Sequence, residues 1–378
     1  MITLKEELLK AFKDKKVIVT GHTGFKGSWL CEWLLLLQAK VIGISLSPKS
    51  KQSLFNKINL KSRIKHNIID IRNHKIIREC ILDEKPDYIF HLAAQPLVRD
   101  SYIDPIETYS TNFMGTVYIL DTLREVQKLY KSINKNCATV FVTTDKCYDN
   151  KEWLNSYRED DPLGGFDPYS SSKGAAEIAI ASYRNSYFNT ENDNVGISSA
   201  RAGNVIGGGD WSKDRLIPDC IKFIKNKQTI EIRYPNATRP WQHVLDALGG
   251  YLLLASKQYN AVEQKDLNQI KLLCSAYNFG PNIKSNKSVK NLVTKILSLW
   301  PGEWIDISDT DHPYESSHLN LSWDKSFHNL GWHPNWDFEE TLFRTINWYK
   351  LEHIKKLNAR ELVHLDIYDY LSNKNKVL

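Results

Sequence analysis

Three polar side chains stand together near the middle of the chain, directly after an apolar run. Residues 140–142 read Val-Phe-Val, a pattern typical of a buried strand. Thr144, Asp145 and Lys146 follow and supply a hydroxyl, a carboxylate and an amine. In open parallel sheets, ligands bind beyond the carboxyl ends of the strands, where these residues would lie. The stretch is therefore a candidate catalytic centre, and a core strand followed by a polar turn is the alternative.

A tyrosine and a lysine lie four positions apart shortly after that stretch. Tyr169 and Lys173 would share one face of a helix, because residues at i and i+4 are neighbours on a helix surface. Such pairs also occur by chance in many helices.

The elements that would position these groups begin near the amino end. After a short helix over residues 4–12, residues 16–20 predict a strand, residues 21–27 a glycine-rich turn and residues 28–35 an apolar helix. Glycines let the backbone approach a pyrophosphate, which the N-terminus of the helix then holds. The GxxGxxG spacing differs from GxGxxG, and a plain turn is the alternative. The predicted dinucleotide site contains Gly21, Thr23, Gly24, Phe25, Lys26 and Gly27.

The ends of the next two strands bear on the choice of dinucleotide. An acidic residue at the end of the second strand would bind the adenosine ribose and favour NAD. Ser45 stands there, with two lysines just beyond it, which leaves NAD and NADP open. A third strand is predicted to end within residues 68–72, where Asp70 and its neighbour Ile71 could meet the adenine. A helix N-cap is an equal alternative for Asp70.

A fourth strand and a long helix offer further contacts to a cofactor. The strand starts at Tyr88 and runs into small residues, which would let a cofactor lie close over its end. Tight packing between helix and sheet is the alternative. The helix opens over residues 108–116, where Thr111 is a candidate and Asn112 either bonds backbone groups or faces solvent. The candidates after the strand are Leu92, Ala93, Ala94 and Gln95.

Strand and helix alternate along the first half of the chain without a long structureless loop. This pattern predicts an α/β fold with a Rossmann-type doubly wound parallel sheet. We expect residues 1–205 to form the NAD-binding domain with the catalytic residues, and residues 206–378 to form mainly a smaller C-terminal substrate-binding domain. A helix over residues 246–255 and a strand over residues 277–279 would return to the sheet. An amphipathic helix is predicted over residues 342–357.

The character of the sequence changes after residue 205. The three glycines of residues 207–209 mark a loop that must approach a ligand or another part of the chain closely. Arg215, Arg233 and Arg239 stand beside rigid prolines and aromatic residues. The guanidinium group of arginine can bind phosphate through two parallel hydrogen bonds, so these segments predict a phosphate-binding surface. Surface arginines beside packed aromatics are the alternative.

Composition narrows the class of protein. The 378 residues are 42% hydrophobic and 25% charged, which is ordinary for a globular enzyme-sized chain. The net charge of +6 is scattered, so it favours an anionic small ligand over nucleic acid. Six cysteines without a CxxC pair indicate reduced thiols, with neither a disulfide framework nor a metal site. We expect no membrane span and no signal peptide, since the longest apolar run covers only residues 33–37.

Five segments in this order resemble the extended short-chain dehydrogenase/reductase family, and within it the nucleotide-sugar 4,6-dehydratases. In members that act on dTDP-glucose or GDP-mannose, Glu typically follows the catalytic Asp. Here Lys146 follows Asp145, as in the branch that acts on CDP-glucose. The resemblance covers about residues 17 to 348 and implies NAD as cofactor and CDP-glucose as substrate. The segments are residues 20–29 (TGHTGFKGSW), 91–100 (HLAAQPLVRD), 143–148 (TTDKCY), 201–211 (RAGNVIGGGDW) and 239–244 (RPWQHV).

The resemblance implies a role for each catalytic candidate. Tyr169 would take the proton of the hydroxyl on carbon 4 of the sugar, with Lys173 favouring its phenolate and Thr144 bonding the same hydroxyl. The resulting ketone acidifies the proton on carbon 5, and Asp145 would protonate the hydroxyl that leaves carbon 6. Lys146 either removes the carbon 5 proton as a neutral amine or stabilises the enolate as a cation.

The resemblance also implies ligand contacts outside the catalytic group. Further cofactor contacts fall on Thr143, Tyr169, Lys173 and Arg201. The implied substrate contacts are Gln95, Arg99, Asn204, Arg215, Leu216, Arg233, Arg239, His243 and Tyr314.

Two functions from other classes compete with a dehydratase. A nucleotide-sugar 4-epimerase on the same scaffold needs the tyrosine and lysine but no acid–base pair after Thr144. A dinucleotide-sensing regulatory protein could lose Tyr169 or Lys173, and this chain keeps both. The family further implies a homodimer or dimer of dimers through helices near residues 108–130 and 173–188. It also implies a cytoplasmic location and a role in deoxysugar biosynthesis, as for lipopolysaccharide O-antigen, with no membrane or nucleic-acid partner.

Overall fold

The computed structural model describes residues 3–308 and 319–372, and a parallel sheet of seven strands forms its centre. The strands in these ranges, in chain order, are β1 Lys16–Thr20, β2 Lys40–Ser45, β3 Lys65–Ile68, β4 Tyr88–His91, β5 Cys137–Val142, β6 Val195–Ala202, β7 Val205–Ile206, β8 Ile230–Ile232, β9 Thr238–Pro240, β10 Gln242–His243, β11 Ala276–Phe279, β12 Asn286–Ser288 and β13 Trp304–Asp306.

The order of strands across the large sheet is β11-β6-β5-β4-β1-β2-β3, and all neighbouring pairs run parallel. The chain builds one side of the sheet from β1 to β3 and then crosses back to β4, which pairs with β1. This change of direction is the switch point where doubly wound sheets bind ligands. The glycine-rich turn after β1 and the small residues after β4 therefore lie next to each other.

Helices cover both faces of this sheet. Their bounds in the described residues are α1 Leu4–Phe12, α2 Phe25–Leu36, α3 Leu54–Lys57, α4 His74–Glu84, α5 Val98–Ile103, α6 Pro105–Tyr109, α7 Gly115–Ile133, α8 Pro168–Tyr187, α9 Leu216–Lys225, α10 Val244–Gln264, α11 Leu267–Leu273, α12 Val289–Leu299, α13 Asp324–Leu330, α14 Phe338–Ile354 and α15 Ala359–Ser372.

The side chains of each strand point alternately to the two faces of the sheet, so the core forms two layers. In β1, Val17 and Val19 pack into the layer that contains Trp29 of α2, whereas Ile18 packs into the layer that contains Leu120 of α7. Successive side chains of a strand point to opposite faces, so a strand covered on both faces must be apolar throughout. This explains why the β-branched runs of the sequence predict the sheet correctly.

The helix after the first strand starts earlier than the sequence predicts. α2 begins at Phe25, not at residue 28, and Gly24 is its N-cap. Gly27 therefore lies inside the helix, and a Cβ at this position would come within 2.2 Å of the carbonyl oxygen of Gly21. The third glycine thus serves close packing of the helix on the turn, which spacing alone does not reveal.

The glycine loop at residues 207–209 approaches an aromatic side chain of the protein. A Cβ added to Gly208 would lie 2.0 Å from Cγ of Trp348, a buried residue of α14. Trp29 Nε1 also donates a 3.0 Å hydrogen bond to the carbonyl oxygen of Gly208. The close approach that the glycines predict is therefore made to tryptophans from α2 and α14.

The C-terminal half adds small sheets and returns to the large one. β11 pairs with β6 at the edge of the large sheet, and α10 packs against β5 and β6. Within residues 3–308 and 319–372, three two-stranded sheets lie outside it, namely β7–β10, β9–β12 and β8–β13. The domain boundary near residue 205 stays a prediction. Among helices of the described ranges, none has both the length and the apolar character needed to cross a membrane.

Candidate active site

The carboxyl end of β5 carries a short turn with the three polar side chains. Asp145–Cys147 form one 3₁₀ turn that Thr144 caps: its Oγ1 accepts from the N–H of Lys146 at 3.3 Å and donates to Asp145 Oδ1 at 2.9 Å. Asp145 is buried, whereas Lys146 is partly exposed. A Cβ on Gly203, just after β6, would lie 2.7 Å from Asp145 Oδ2. The glycine therefore makes room for this carboxylate.

Tyr169 reaches this turn from the first turn of α8. Asp167 is the N-cap of α8 and its Oδ1 accepts from the N–H of Ser170 at 2.9 Å. Burial raises the pKa of Tyr169 to about 12, while a hydrogen bond with Thr144 and the charge of Arg215 act in the opposite direction. A phenolate at neutral pH therefore needs more positive charge than these groups provide.

Lys173 lies one turn further along α8 and is buried. Burial lowers its pKa to about 8, and the carboxylate of Glu177, another turn along the helix, acts against that change. The structure therefore places Tyr169, Lys173 and Glu177 along one side of α8. Glu177 was not among the residues selected from the sequence, although its i+4 spacing from Lys173 is the signal that selected Lys173 itself.

Lys26 extends from the glycine-rich turn toward the same group of side chains. Its Nζ donates a 3.2 Å hydrogen bond to the hydroxyl of Tyr251. The pKa of Lys26 is lowered to about 7, mainly by burial and also by the charges of Arg215 and Lys173, while Asp145 acts in the opposite direction. A residue expected to contact only the cofactor thus also belongs to the electrostatic surroundings of Asp145.

The glycine-rich turn leaves space that side chains would otherwise fill. Gly21 has φ of 75°, a left-handed conformation that favours glycine, and a Cβ there would lie 2.8 Å from the amide nitrogen of Ala93. Gly24 offers no side-chain cap to α2, so the N-terminus of this helix suits an anionic group. These features fit the pyrophosphate of a dinucleotide. Half-buried beside the turn lie Leu92, Ala93 and Ala94.

Two side-chain hydroxyl groups lie at the carboxyl end of β2. Thr23 Oγ1 lies 2.8 Å from Ser45 Oγ and donates to the carbonyl oxygen of Leu46 at 3.0 Å. Asp70, on the loop after β3, forms an ion pair with Arg72 with 2.6 Å between Nη2 and Oδ2.

The N-cap of α4 is Asn73, whose side chain accepts from the N–H of Ile76. The N-cap alternative for Asp70 is therefore wrong, because the helix starts at His74, beyond its reach. Ile71 is buried, and a Cβ on Gly115 would lie 2.7 Å from its Cδ1. β3 itself ends at Ile68, before the predicted residues 69–72.

A π-helical turn, Ser110–Met114, joins α6 to α7 and interrupts the predicted long helix. Asn112 in this turn is buried; its Oδ1 accepts from the N–H of Gln95 at 2.8 Å, and its Nδ2 donates to the carbonyl oxygen of Gln95 at 3.1 Å. Of the two alternatives for Asn112, bonding to the backbone is confirmed. Thr111 is half-buried beside it. Such π-helical turns occur often at functional sites.

Arg201 is held within the protein behind α8. Its Nη2 donates to Glu177 Oε2 at 2.9 Å, and its Nη1 donates to the Tyr148 hydroxyl and to the carbonyl oxygen of Glu159, each at 2.8 Å. Thr143 Oγ1 also donates to Glu177. In the structure both side chains bond within the protein, and the cofactor contacts expected for Arg201 and Thr143 stay predictions. A buried charge requires a partner, and Glu177 provides it.

The arginines expected to contact the substrate lie on separate segments. Arg99 of α5 forms a 3.4 Å ion pair with Asp214, the residue before Arg215. Arg215 is half-buried at the N-cap of α9, close enough to Tyr169 to lower its pKa. Arg215 therefore lies near Tyr169, and Arg99 pairs with the residue next to Arg215 in the chain. Further residues expected to contact the substrate are half-buried. They are Arg233 after β8, Arg239 of β9, Leu216 of α9, Asn204 after β6 and Gln95 after β4.

His243 lies inside the core. Its side chain is fully buried, its Nδ1 accepts from the N–H of Leu245 at 3.2 Å as the N-cap of α10, and its ring packs edge-on against Trp29 and Trp336. The ring thus contacts other side chains of the core, and the substrate contact expected for His243 stays a prediction. Tyr314 lies outside the described residues. Within the described ranges, no group of three His, Cys, Asp or Glu residues is arranged to hold a metal ion.

Comparison with known proteins adds independent findings. The profile of the GDP-mannose 4,6-dehydratase family matches residues 18–345. The chain is 45% identical over 344 residues to a protein of Salmonella typhimurium named CDP-glucose 4,6-dehydratase, with 90% of this chain and 91% of that protein covered. The family profile runs across the glycine-rich turn, the turn after β5 and α8.

Solved structures share the fold. An epimerase from Methanothermobacter thermautotrophicus superposes with a TM-score of 0.76 at 23% identity and covers 93% of this chain and 97% of its own. A dTDP-glucose 4,6-dehydratase from Streptomyces venezuelae, solved with NAD bound, gives a TM-score of 0.73 at 20% identity and covers 91% and 99%. These likenesses show the Rossmann-type architecture, which dehydratases and epimerases have in common.

Proposed function

This chain belongs to the GDP-mannose 4,6-dehydratase family, and on that premise we propose that it converts CDP-D-glucose to CDP-4-keto-6-deoxy-D-glucose and water. The 45% identical relative carries the name of this activity. The order Thr144-Asp145-Lys146, with lysine after the aspartate, supports the CDP-glucose branch over branches with glutamate at that position.

The observation that carries the proposal is that groups suited to oxidation and groups suited to elimination lie together at the carboxyl end of β5. Tyr169 and Lys173 suit an oxidation at a carbinol, and Thr144 joins Tyr169 to the turn after β5. Asp145 and Lys146 on that turn add a carboxyl and an amine. Epimerisation needs only the first set, whereas elimination of water also needs an acid and a base. The arrangement therefore favours a dehydratase.

Each residue then has a defined task. Tyr169 takes the proton from the hydroxyl on carbon 4, and Lys173 stabilises the phenolate by its charge. The new ketone acidifies carbon 5, and Lys146 removes that proton or stabilises the enolate. Asp145 gives a proton to the hydroxyl leaving carbon 6, so that water departs. Carbon 5 regains a proton, and the sum is substrate giving product plus one water.

We propose NAD as the resident cofactor. When bound, it accepts the hydride of carbon 4 and returns it to carbon 6. The residues that would hold it are those of the glycine-rich turn and the N-terminus of α2, together with Thr23, Ser45 and the segment after β4. Hydroxyls at the end of β2 can bond a ribose without an acidic residue. The charge of a bound nicotinamide would add to that of Lys173 near Tyr169.

We further propose that the chain forms a homodimer, or a dimer of dimers, in the cytoplasm and serves deoxysugar biosynthesis. Helices α7 and α8 support the dimer, because large apolar side chains are exposed near them, including Tyr109, Ile178 (60% exposed) and Tyr187. Covering such residues is a common reason for association. Light scattering should give at least twice the mass of the chain, and a monomer would contradict the proposal.

Mass spectrometry of CDP-glucose incubated with the enzyme tests the activity directly. We expect a product lighter by one water, with no net gain in reduced nicotinamide absorbance, because the hydride returns to the same sugar. UDP-glucose, dTDP-glucose and GDP-mannose serve as matched substrates and should react far more slowly. A product of unchanged mass would indicate an epimerase. Steady accumulation of reduced cofactor with product would indicate a simple dehydrogenase.

A further inference from the structure

A buried carboxylate lies behind the catalytic helix, one turn beyond Lys173. The Glu177 side chain is only 2% exposed. It accepts hydrogen bonds from Thr143 Oγ1, from Ser199 Oγ at 2.7 Å and from Arg201 Nη2 at 2.9 Å. Thr143 directly follows β5, and the other two donors belong to β6. Glu177 therefore ties α8 to the ends of both strands that flank the catalytic turn.

The charge of this carboxylate is fixed by its partners. Burial alone would raise the pKa of Glu177, but Arg201 and the hydroxyls of Thr143 and Ser199 together hold it below its usual value. Tyr148 and the carbonyl oxygen of Glu159 hold Arg201 in turn. A negative charge is thus maintained at a buried position, where electrostatic effects are strong.

We propose that Glu177 is a positioning residue of the reaction, which keeps Lys173 protonated beside Tyr169 and anchors the strand end that carries Thr144. The inference deepens the proposed function and rests on it for the identity of the reaction. Thr143, which Glu177 binds, is the immediate neighbour of Thr144.

The surroundings of Lys173 explain why such a charge is needed. Burial drives Lys173 toward the neutral amine, which could no longer favour a phenolate. The Cys147 thiol stays neutral because burial raises its pKa, and the His91 imidazole stays neutral because burial lowers its pKa to about 3. The titratable groups around the pair are Cys147, His91 and Lys26 on the side of Lys173, and Arg201 and Arg184 on the side of Glu177.

The direct test is the titration of Lys173 in the full-length holoenzyme. Nuclear magnetic resonance of ¹³C-labelled lysine, with the signal assigned by Lys173→Arg, gives its pKa in wild type and in Glu177→Gln. We expect the substitution to lower that pKa by about one to three units, as loss of a nearby opposite charge does. The alkaline limb of the pH–rate profile for hydride transfer should move by a similar amount.

Glu32→Gln is the matched control. Glu32 is 1% exposed and pairs with Arg63, as Glu177 pairs with Arg201, but it lies on α2 and its other partner is His364. Both variants should unfold at lower temperature, and only Glu177→Gln should move the titration of Lys173. Glu177→Asp keeps the negative charge but moves it away from Lys173 by one methylene group. The pKa of Lys173 in this variant should lie between those of wild type and Glu177→Gln, so Glu177→Asp provides the test if Glu177→Gln does not fold.

The outcomes separate this inference from the proposed function. A Lys173 pKa that is unchanged in Glu177→Gln, or in Glu177→Asp where only that variant folds, overturns the role of Glu177. The titration needs no substrate, so it remains decisive if wild type fails to release water from CDP-glucose. That failure would overturn the proposed activity alone.

Discussion

Asn112 Nδ2 donates a 2.9 Å hydrogen bond to Ser172 Oγ, and this bond joins the π-helical turn before α7 to the catalytic helix α8. Ser172 directly precedes Lys173 in the chain. The same amide holds the N–H and carbonyl oxygen of Gln95, on the loop after β4. One buried side chain therefore connects the loop after β4, where cofactor contacts are expected, to the residue before Lys173.

Asn112→Ala should lower the free energy of unfolding by about 1–3 kcal/mol, because it removes the hydrogen bonds that this buried side chain makes to Gln95 and Ser172. Urea unfolding followed by circular dichroism measures the change. Asn185→Ala, on the exposed face of α8, is the control and should stay within about 0.5 kcal/mol of wild type. Equal losses in both variants would contradict the assigned role of Asn112.

Tyr169→Phe should lower turnover about a hundred- to ten-thousand-fold, because the variant keeps the ring but cannot take a proton. The affinity for CDP-glucose should change little, since the ring volume is retained. Steady-state kinetics and calorimetry give the two quantities. Tyr187→Phe, exposed near the end of α8, is the control and should turn over normally. A near wild-type rate in Tyr169→Phe would exclude it as the base.

Stability should depend on pH through Asp246 in the first turn of α10. Its side chain is fully buried, and its Oδ1 accepts from the N–H of Asn335 at 2.7 Å. Burial raises its pKa from 3.8 to about 7. The folded protein therefore holds a proton that the unfolded chain has lost between these values, so this contribution to stability falls as pH rises through about 7.

Asp246→Asn keeps the acceptor and removes the charge. The melting temperature of the variant relative to wild type should therefore increase as pH is raised from about 5 to about 8. Burial also raises the pKa of Asp366 to about 7, and the difference between the two proteins cancels that shared effect. A difference that is flat across this pH range would show that Asp246 is ionised throughout.

Local signals in the sequence account for the sheet and for much of the candidate site. The apolar runs predict β1, β2 and β5 because these strands are covered on both faces. The i+4 spacing places Tyr169 and Lys173 on one side of α8, as the structure has them. These features depend on a few neighbouring residues, and so a single sequence contains them.

Tertiary contacts account for what the sequence leaves open. Glu177 and Asn112 gain their partners from strands and loops far along the chain, so their types alone do not distinguish them from solvent-exposed residues. His243 lies in the same sequence segment as Arg239, but its ring is buried against Trp29 and Trp336. Whether a polar residue faces a ligand or a buried partner is decided by packing that local patterns do not encode.

Substitution of the proposed acid or base of the elimination should slow the loss of water but leave the oxidation of carbon 4 intact. Asp145→Asn keeps its size but cannot protonate a leaving hydroxyl, and Lys146→Met keeps the stem of the side chain but loses the amine. Both variants should still oxidise carbon 4, so reduced cofactor and a 4-ketoglucose intermediate should accumulate. Release of water should slow by about a hundred- to ten-thousand-fold, as measured by mass spectrometry of quenched reactions.

Solvent deuterium distinguishes the two roles of Lys146. Wild type should place deuterium on carbon 5 of the product, and Lys146→Met should slow that exchange strongly if the amine is the base. Asp145→Asn should retain exchange at carbon 5, because its defect lies in the departure of the hydroxyl. Lys10→Met, exposed on α1, controls for loss of an amine. Normal exchange in Lys146→Met would exclude it as the base, because removal of the carbon 5 proton would then not require its amine.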